Sequence, residues 1–188
     1  MAVLPILITG DPVLHSPAHD VTEFGVSLDR LVADLFDTME AAPGVGLAAP
    51  QVGVASRVFV WDWTDDDGLR HRGVAVNPAL LLSPTPAGDP DEEADAEGCL
   101  SFPGERYPLR RAQIAVLTAV DAHGTPIRVE AEGWLARILQ HEYDHLDGTL
   151  YVDRLDSAWD RAVAKVVRRS GWGVPGGTWT PGVDDLDA

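Results

Sequence analysis

The chain has 188 residues, 45% hydrophobic and 23% charged, a balance that suits one soluble globular domain with a sizeable core. Fourteen basic against thirty acidic residues leave a formal charge of −16, which repels a phosphate backbone or an anionic bilayer, so DNA and membrane partners are disfavoured. The start lacks the basic residues and long apolar core of a secretory signal, no apolar run approaches the roughly 20 residues that span a bilayer, and the single cysteine, Cys99, cannot form an internal disulfide; together these lead us to expect a cytoplasmic protein.

In chain order, Leu28, Leu31, Val32, Leu35 and Met39 keep helical spacing and predict an amphipathic helix from Leu28 to Ala41, with Ser27 as N-cap and Pro43-Gly44 beyond its end. The next segment, Gly44-Val45-Gly46-Leu47-Ala48-Ala49-Pro50-Gln51, is built of small residues that let a ligand or another backbone approach. It follows a helix and lacks a third glycine, which excludes a dinucleotide-binding loop. Strands are expected over Arg57 to Trp63, Gly73 to Val76, Gln113 to Val120 and Ile127 to Ala131, the last two joined by a hairpin turn at Asp121-Ala122-His123-Gly124. The acidic, proline-rich stretch from Ser83 to Glu97 reads as a surface loop. A second helix is expected from Glu132 to His145, and a third from Ser157 to Arg169 with Trp159, Val163, Val166 and Val167 facing the body. After Ser170 the composition turns to Gly, Pro and Trp, where regular structure is not expected. One helix, then strands, then helices, indicates an α+β fold.

His141-Glu142-Tyr143-Asp144-His145 is the strongest chemical signal. Residues i and i+4 share one face of a helix, so the two imidazoles can converge on one metal ion, with Glu142 about 100° round the helix near its open side. A catalytic site of this type takes three protein ligands. No histidine follows the motif, which excludes the metzincin arrangement. Cys99 is the candidate third ligand, since a thiolate binds iron or zinc well. The alternative is a buried cysteine acting as a small hydrophobe. Against it stands the setting Glu97-Gly98-Cys99-Leu100-Ser101, where a glycine permits close approach directly after a loop.

The segments GVGLAAPQ at 44–51, EGCLS at 97–101 and QHEYDH at 140–145 together resemble the peptide deformylases, in that family's order, and the resemblance extends over roughly residues 4–170. It implies small mixed and antiparallel sheets wrapped around a central metal-binding helix, with residues 1–170 as one catalytic domain and 171–188 as a tail. The implied reaction removes the N-formyl group from the N-terminal methionine of newly synthesised proteins and releases formate. The implied metal ligands are Cys99, His141 and His145, with Fe2+ as the native ion and Zn2+, Ni2+ or Co2+ as substitutes. Glu142 becomes the proton carrier, while the Gln51 side chain and the Leu100 backbone N–H become oxyanion donors. Val45, Gly46, Gly98, Trp134, Ile138 and Arg111 are the implied substrate contacts, and Arg137 is expected to face away or to form a structural ion pair. The implied partners are N-formyl-methionyl nascent peptides, and with them the ribosome, met by a monomer. A zincin-type metallopeptidase and a catalytically inactive peptide-binding module are the alternatives.

The tail lies outside the resemblance. Trp172 and Trp179 are costly to leave in water, so residues 171–182 are expected to pack back on the body as a structural segment away from the metal site, with 183–188 a loose acidic end.

Overall fold

The computed structural model describes residues 2–42 and 44–184. Met1, the helix-ending role expected of Pro43 and the acidic end at 185–188 lie outside the described residues.

In chain order the elements are β1 (Ile6–Leu7), α1 (Val26–Ala41), β2 (Gly46–Ala48), β3 (Val58–Thr64), β4 (Arg70–Leu82), β5 (Ala96–Cys99), β6 (Phe102–Pro108), β7 (Ile114–Val120), β8 (Pro126–Glu132), α2 (Gly133–Leu146), α3 (Asp160–Ser170) and β9 (Thr178–Trp179). Strands β2-β3-β4-β7-β8 form one antiparallel sheet, β5 and β6 a separate hairpin, and β1 and β9 a third small pair. The fold is α+β.

Side chains on a strand alternate between faces, and both faces of β3 are covered. Val58 and Val60 pack with Leu28, Val32, Leu35 and Met39 of α1, whereas Phe59 and Trp61 pack with Leu135, Ile138 and Leu139 of α2. This explains the unbroken apolar run Val58-Phe59-Val60-Trp61. The hairpin, the 3-10 turn Tyr151–Arg154 and α3 supply a third cluster around Phe102, Tyr107, Tyr151 and Val166, with Trp159, Val163 and Val167 packed against it. Helix α2 lies among these layers, and eleven of its fourteen residues are buried, so it is the central element.

Several boundaries differ from expectation. Helix α1 starts at Val26, because the Asp29 N–H donates to the Gly25 carbonyl at 3.0 Å and so closes the first turn around Gly25; Ser27 lies inside that turn and caps nothing. Strand β4 continues past Val76 to Leu82 through a bulge at Asn77-Pro78. Proline has no N–H for the ladder, and Asn77 takes a left-handed conformation with φ 50°. The Asn77 amide also holds the chain before α1, accepting from the Val21 N–H at 2.8 Å and donating to its carbonyl at 2.9 Å. The expected loop ends at Asp95, with β5 beginning at Ala96, and the third helix is a 3-10 turn (Ser157–Trp159) followed by α3.

The expectation of no regular structure after Ser170 is corrected. Trp179 pairs with Ile6 and Thr178 with Leu7, and the contact extends through an Ile8 N–H to Gly177 carbonyl bond of 2.8 Å. Val183 and Asp184 are not a loose end, since both of their N–H groups donate to the Thr180 carbonyl. Ordering here follows from burial: Trp179 is 7% exposed, and burying a large aromatic gains about 2–3 kcal/mol.

Candidate active site

Two neighbouring stripes of α2 carry the site. Arg137, His141 and His145, four residues apart, share one face, and Trp134, Ile138 and Glu142 share the next. Strand β5 lies over the first stripe and presents Glu97 and Cys99, two residues apart, on one side. The Cys99 Sγ lies 3.3 Å from His145 Nε2, which lies 3.2 Å from His141 Nε2, and the three atoms all fall within 4.8 Å of one another. The two histidines share a helix, whereas Cys99 lies 46 residues before His145 and is brought to them at the end of β5.

A carboxylate fixes the first imidazole. Glu97 Oε1 lies 2.7 Å from His141 Nδ1; with the proton on Nδ1, the Nε2 lone pair faces Cys99 and His145. Glu97 is held in turn by Arg111 at 2.6 and 3.1 Å and by Arg137 at 3.0 Å. Arg137 also donates to Asp95 at 2.6 Å, while Asp144 accepts from Arg111 at 2.6 Å and from Arg154 at 2.5 Å. Burial alone would raise the Glu97 carboxyl, but the His141 and Arg111 hydrogen bonds and charges outweigh it and hold the group well below its ordinary range. Burial opposes a proton on His141, yet Cys99 and Glu97 draw one on; His145 beside it is kept neutral by burial and by the His141 charge. What suits a divalent transition metal here is the donor set itself, a sulfur and two ring nitrogens that converge within 4.8 Å of one another. The residues fit a metal ion.

Glu142 lies on the second stripe, buried, and its Oε2 has no hydrogen-bond partner among the described residues. Burial pushes its carboxyl up to about 7, with a further contribution from Glu97 partly offset by His141 and Arg111. A Cβ on Gly46 would overlap this carboxylate, which is why the edge strand β2 carries glycine at its closest approach to α2. Gln51 is 1% exposed; its Oε1 accepts from the Ala48 N–H at 2.8 Å, and its Nε2 lies 3.2 Å from Ser101 Oγ and 3.8 Å from Cys99 Sγ.

Beside these groups opens a cavity of about 730 Å³. Val45, Gly46, Gln51, Gly98, Cys99, Leu100, Trp134, Ile138, His141 and Glu142 line it, so the structure gathers these sequence-nominated residues at one place; His145 adjoins them behind Cys99. Arg111 does not belong with them. At 5% exposed it is committed to Glu97 and Asp144, away from the cavity wall, so the substrate contact expected there is corrected to a buried structural ion pair. Arg137 forms the structural pair expected of it. The tail is not remote from the metal-binding cluster: Trp179, Gly182 and Asp184 also line the cavity.

Glu97 and Asp144 sit inside the sequence motifs, yet nothing in those motifs assigns them a role. The available signal is spacing, since Glu97 precedes Cys99 by two strand positions and Asp144 follows Arg137 by seven helix positions. Trp179 has no motif to mark it.

The family model for polypeptide deformylase matches residues 3–160. A peptide deformylase of Rhodococcus opacus is 52% identical over 186 residues, covering 97% of this chain and 95% of the relative. One from Mycolicibacterium smegmatis is 52% identical over 189 residues, covering 97% and 96%. Among solved structures, a peptide deformylase from Legionella pneumophila superposes with a TM-score of 0.76 at 37% identity, covering 90% of this chain and 96% of that one. The Synechococcus elongatus peptide deformylase in complex with actinonin gives 0.76 at 35% identity, covering 92% and 90%.

Proposed function

We infer that this chain, which belongs to the peptide deformylase family, removes the N-formyl group from the N-terminal methionine of newly synthesised proteins and releases formate. The observation that carries the reading of its site is the convergence of Cys99 Sγ, His141 Nε2 and His145 Nε2 beside a buried Glu142 carboxylate whose Oε2 has no partner among the described residues.

Cys99, His141 and His145 would hold the metal, with Fe2+ as the native ion and Zn2+, Ni2+ or Co2+ as substitutes. When bound, a divalent ion there supplies a water acidified to near neutrality. Glu142 takes the proton of the attacking water on its unpartnered oxygen and passes it to the departing amine, a task suited to a carboxyl buried until it titrates near neutral pH. Gln51 Nε2, whose orientation the Ala48 N–H fixes, and the Leu100 N–H donate to the formyl oxygen as charge gathers there, each worth about 3 kcal/mol in the transition state. The substrate backbone lies as an added strand between Val45-Gly46 and Gly98-Leu100, and Val45, Trp134 and Ile138 surround the methionine side chain. Main-chain pairing leaves the residues after methionine largely unread.

The catalytic machinery falls within 1–170, followed by the segment 171–188. The enzyme works as a cytoplasmic monomer that meets nascent chains at the ribosome. Among the described residues no helix is long and apolar enough to cross a membrane. Glu142 and all three candidate ligands are present and gathered, which favours an active hydrolase over a peptide-binding module. The test offers formyl-Met-Ala-Ser and unformylated Met-Ala-Ser side by side to protein of known metal content. Formate release from the first and no cleavage of the second is expected. Cleavage of the internal peptide bonds would support a zincin-type peptidase instead.

A further inference from the structure

Besides lining the cavity, the segment after Ser170 is linked to the Cys99 sulfur by hydrogen bonds through a single peptide group. Pairing of β9 with β1, together with a Gly173 N–H to Thr9 carbonyl bond of 3.0 Å, fixes the chain that leads up to Trp179. The indole is buried, and its Nε1–H donates to the Leu100 carbonyl at 2.8 Å. At the other end of that same Leu100-Ser101 peptide, the Ser101 N–H donates to Cys99 Sγ at 3.3 Å. The Ser101 carbonyl is held as well, accepting from the Thr9 N–H at 2.9 Å. A hydrogen bond accepted by an amide oxygen polarises the amide and strengthens its N–H as a donor, so the two bonds reinforce each other. Donors to a ligating sulfur govern how much electron density it gives a metal.

We propose that Trp179 is a positioning residue for the Cys99 sulfur: its indole N–H, acting through the Leu100-Ser101 peptide, holds the Ser101 N–H on Sγ and the Leu100 backbone at the cavity mouth. The inference rests on the reading of Cys99 as a metal ligand. Trp179 also lines the cavity, but its hydrogen bond goes to the Leu100 carbonyl, so its effect on the sulfur passes through one amide. The carboxy-terminal segment thereby becomes part of the site's second layer and not only a clasp on the N-terminus.

The test loads the full chain with Co2+ and follows the sulfur-to-cobalt charge-transfer absorption and the rate of cobalt loss to excess chelator. Trp179→Phe keeps a ring in the core and deletes the donor. β-(3-benzothienyl)alanine incorporated at position 179 keeps the bicyclic shape and removes only the N–H. Both are expected to move the band to longer wavelength and to speed cobalt loss by about 3–10-fold, below the 10–100-fold of a direct partner because one amide intervenes. Trp172→Phe serves as the control. Its ring stands edge-on to Phe102 at 5.0 Å, so it shares the segment without reaching the Leu100 carbonyl, and it should lower the melting temperature while leaving band and release rate unchanged. Position-179 variants that melt lower but keep the wild-type band and release rate would reduce Trp179 to an anchor and overturn the proposal. An equal band shift in Trp172→Phe would overturn it too, as general loosening. Cys99→Ser should abolish the band; a wild-type protein with no sulfur band would overturn the ligand reading itself, and the inference with it.

Discussion

Replacing Glu97 by glutamine tests the electrostatic frame of the site. Glu97 is 4% exposed and accepts from Arg111, Arg137 and His141, so the substitution leaves two buried guanidinium groups facing a neutral amide. Removing one partner of a buried ion pair costs about 3–5 kcal/mol. Asp144 still faces Arg111 and Asp95 still faces Arg137, which places the loss near the lower end, at ~3 kcal/mol. For a chain of this length each kcal/mol moves Tm by about 2–4 °C, so Glu97→Gln should melt roughly 6–12 °C below wild type at neutral pH. The folded-state pKa of Glu97 is depressed below its ordinary value of 4.5. Its contribution is therefore complete above that value and fades as pH falls through the lower folded value, so the gap between the proteins should narrow only in acid below about pH 4.5. Because Glu97 also orients His141, the variant should bind metal about 10-fold or more weakly. Melting curves across the acid range together with a chelator competition read all three effects. A gap under about 2 °C at neutral pH, or a gap that does not narrow in acid, would refute the reasoning.

Glu142→Gln removes the proposed proton carrier without emptying the ligand triangle, so kcat should fall by about 100-fold or more while metal content and Tm hold; near-normal turnover would dismiss the role. Cys99→Ser exchanges a thiolate for a neutral hydroxyl and should lower metal occupancy, read by elemental analysis after dialysis. Gly46→Ala puts a methyl into the Glu142 carboxylate and should depress kcat by about 10-fold or more through displacement of that group, checked by steady-state kinetics beside a metal assay. A hydroxamate bearing a methionine-like side chain should bind tightly to the loaded enzyme through the metal and the Val45, Trp134 and Ile138 wall, and weakly once the metal is stripped; equal affinity in both forms would place the inhibitor elsewhere.

Much of this site is legible in the sequence because helical and strand periodicity carry geometry. The four-residue step from His141 to His145 by itself implies a shared helix face, and the apolar spacing of α1 and α2 locates both helices to within about two residues. What escapes a reading of the sequence is set by contacts distant along the chain. In the β5–β6 hairpin Glu, Gly and Pro, residues of weak strand preference, interrupt Phe102 and Tyr107, and pairing and the Arg111, Arg137 and Glu97 network hold it against α2. Arg111 reads as available for a substrate because nothing local announces that Asp144, 33 residues on, claims it. Strand β9 is invisible for the same reason: two residues cannot declare a strand, and only Ile6 and Leu7, at the opposite end of the chain, make Thr178–Trp179 one.

The central claim is that one metal ion, held by Cys99, His141 and His145 beside Glu142, carries deformylation. Its most direct test titrates metal-free protein with Fe2+ under anaerobic conditions and follows formate release from formyl-Met-Ala-Ser against metal bound. The account predicts turnover that rises linearly to a plateau at one ion per chain and that stays near background throughout in Glu142→Gln despite equal binding. Formate release by the metal-free protein, or full turnover in the Glu142→Gln protein, would contradict it.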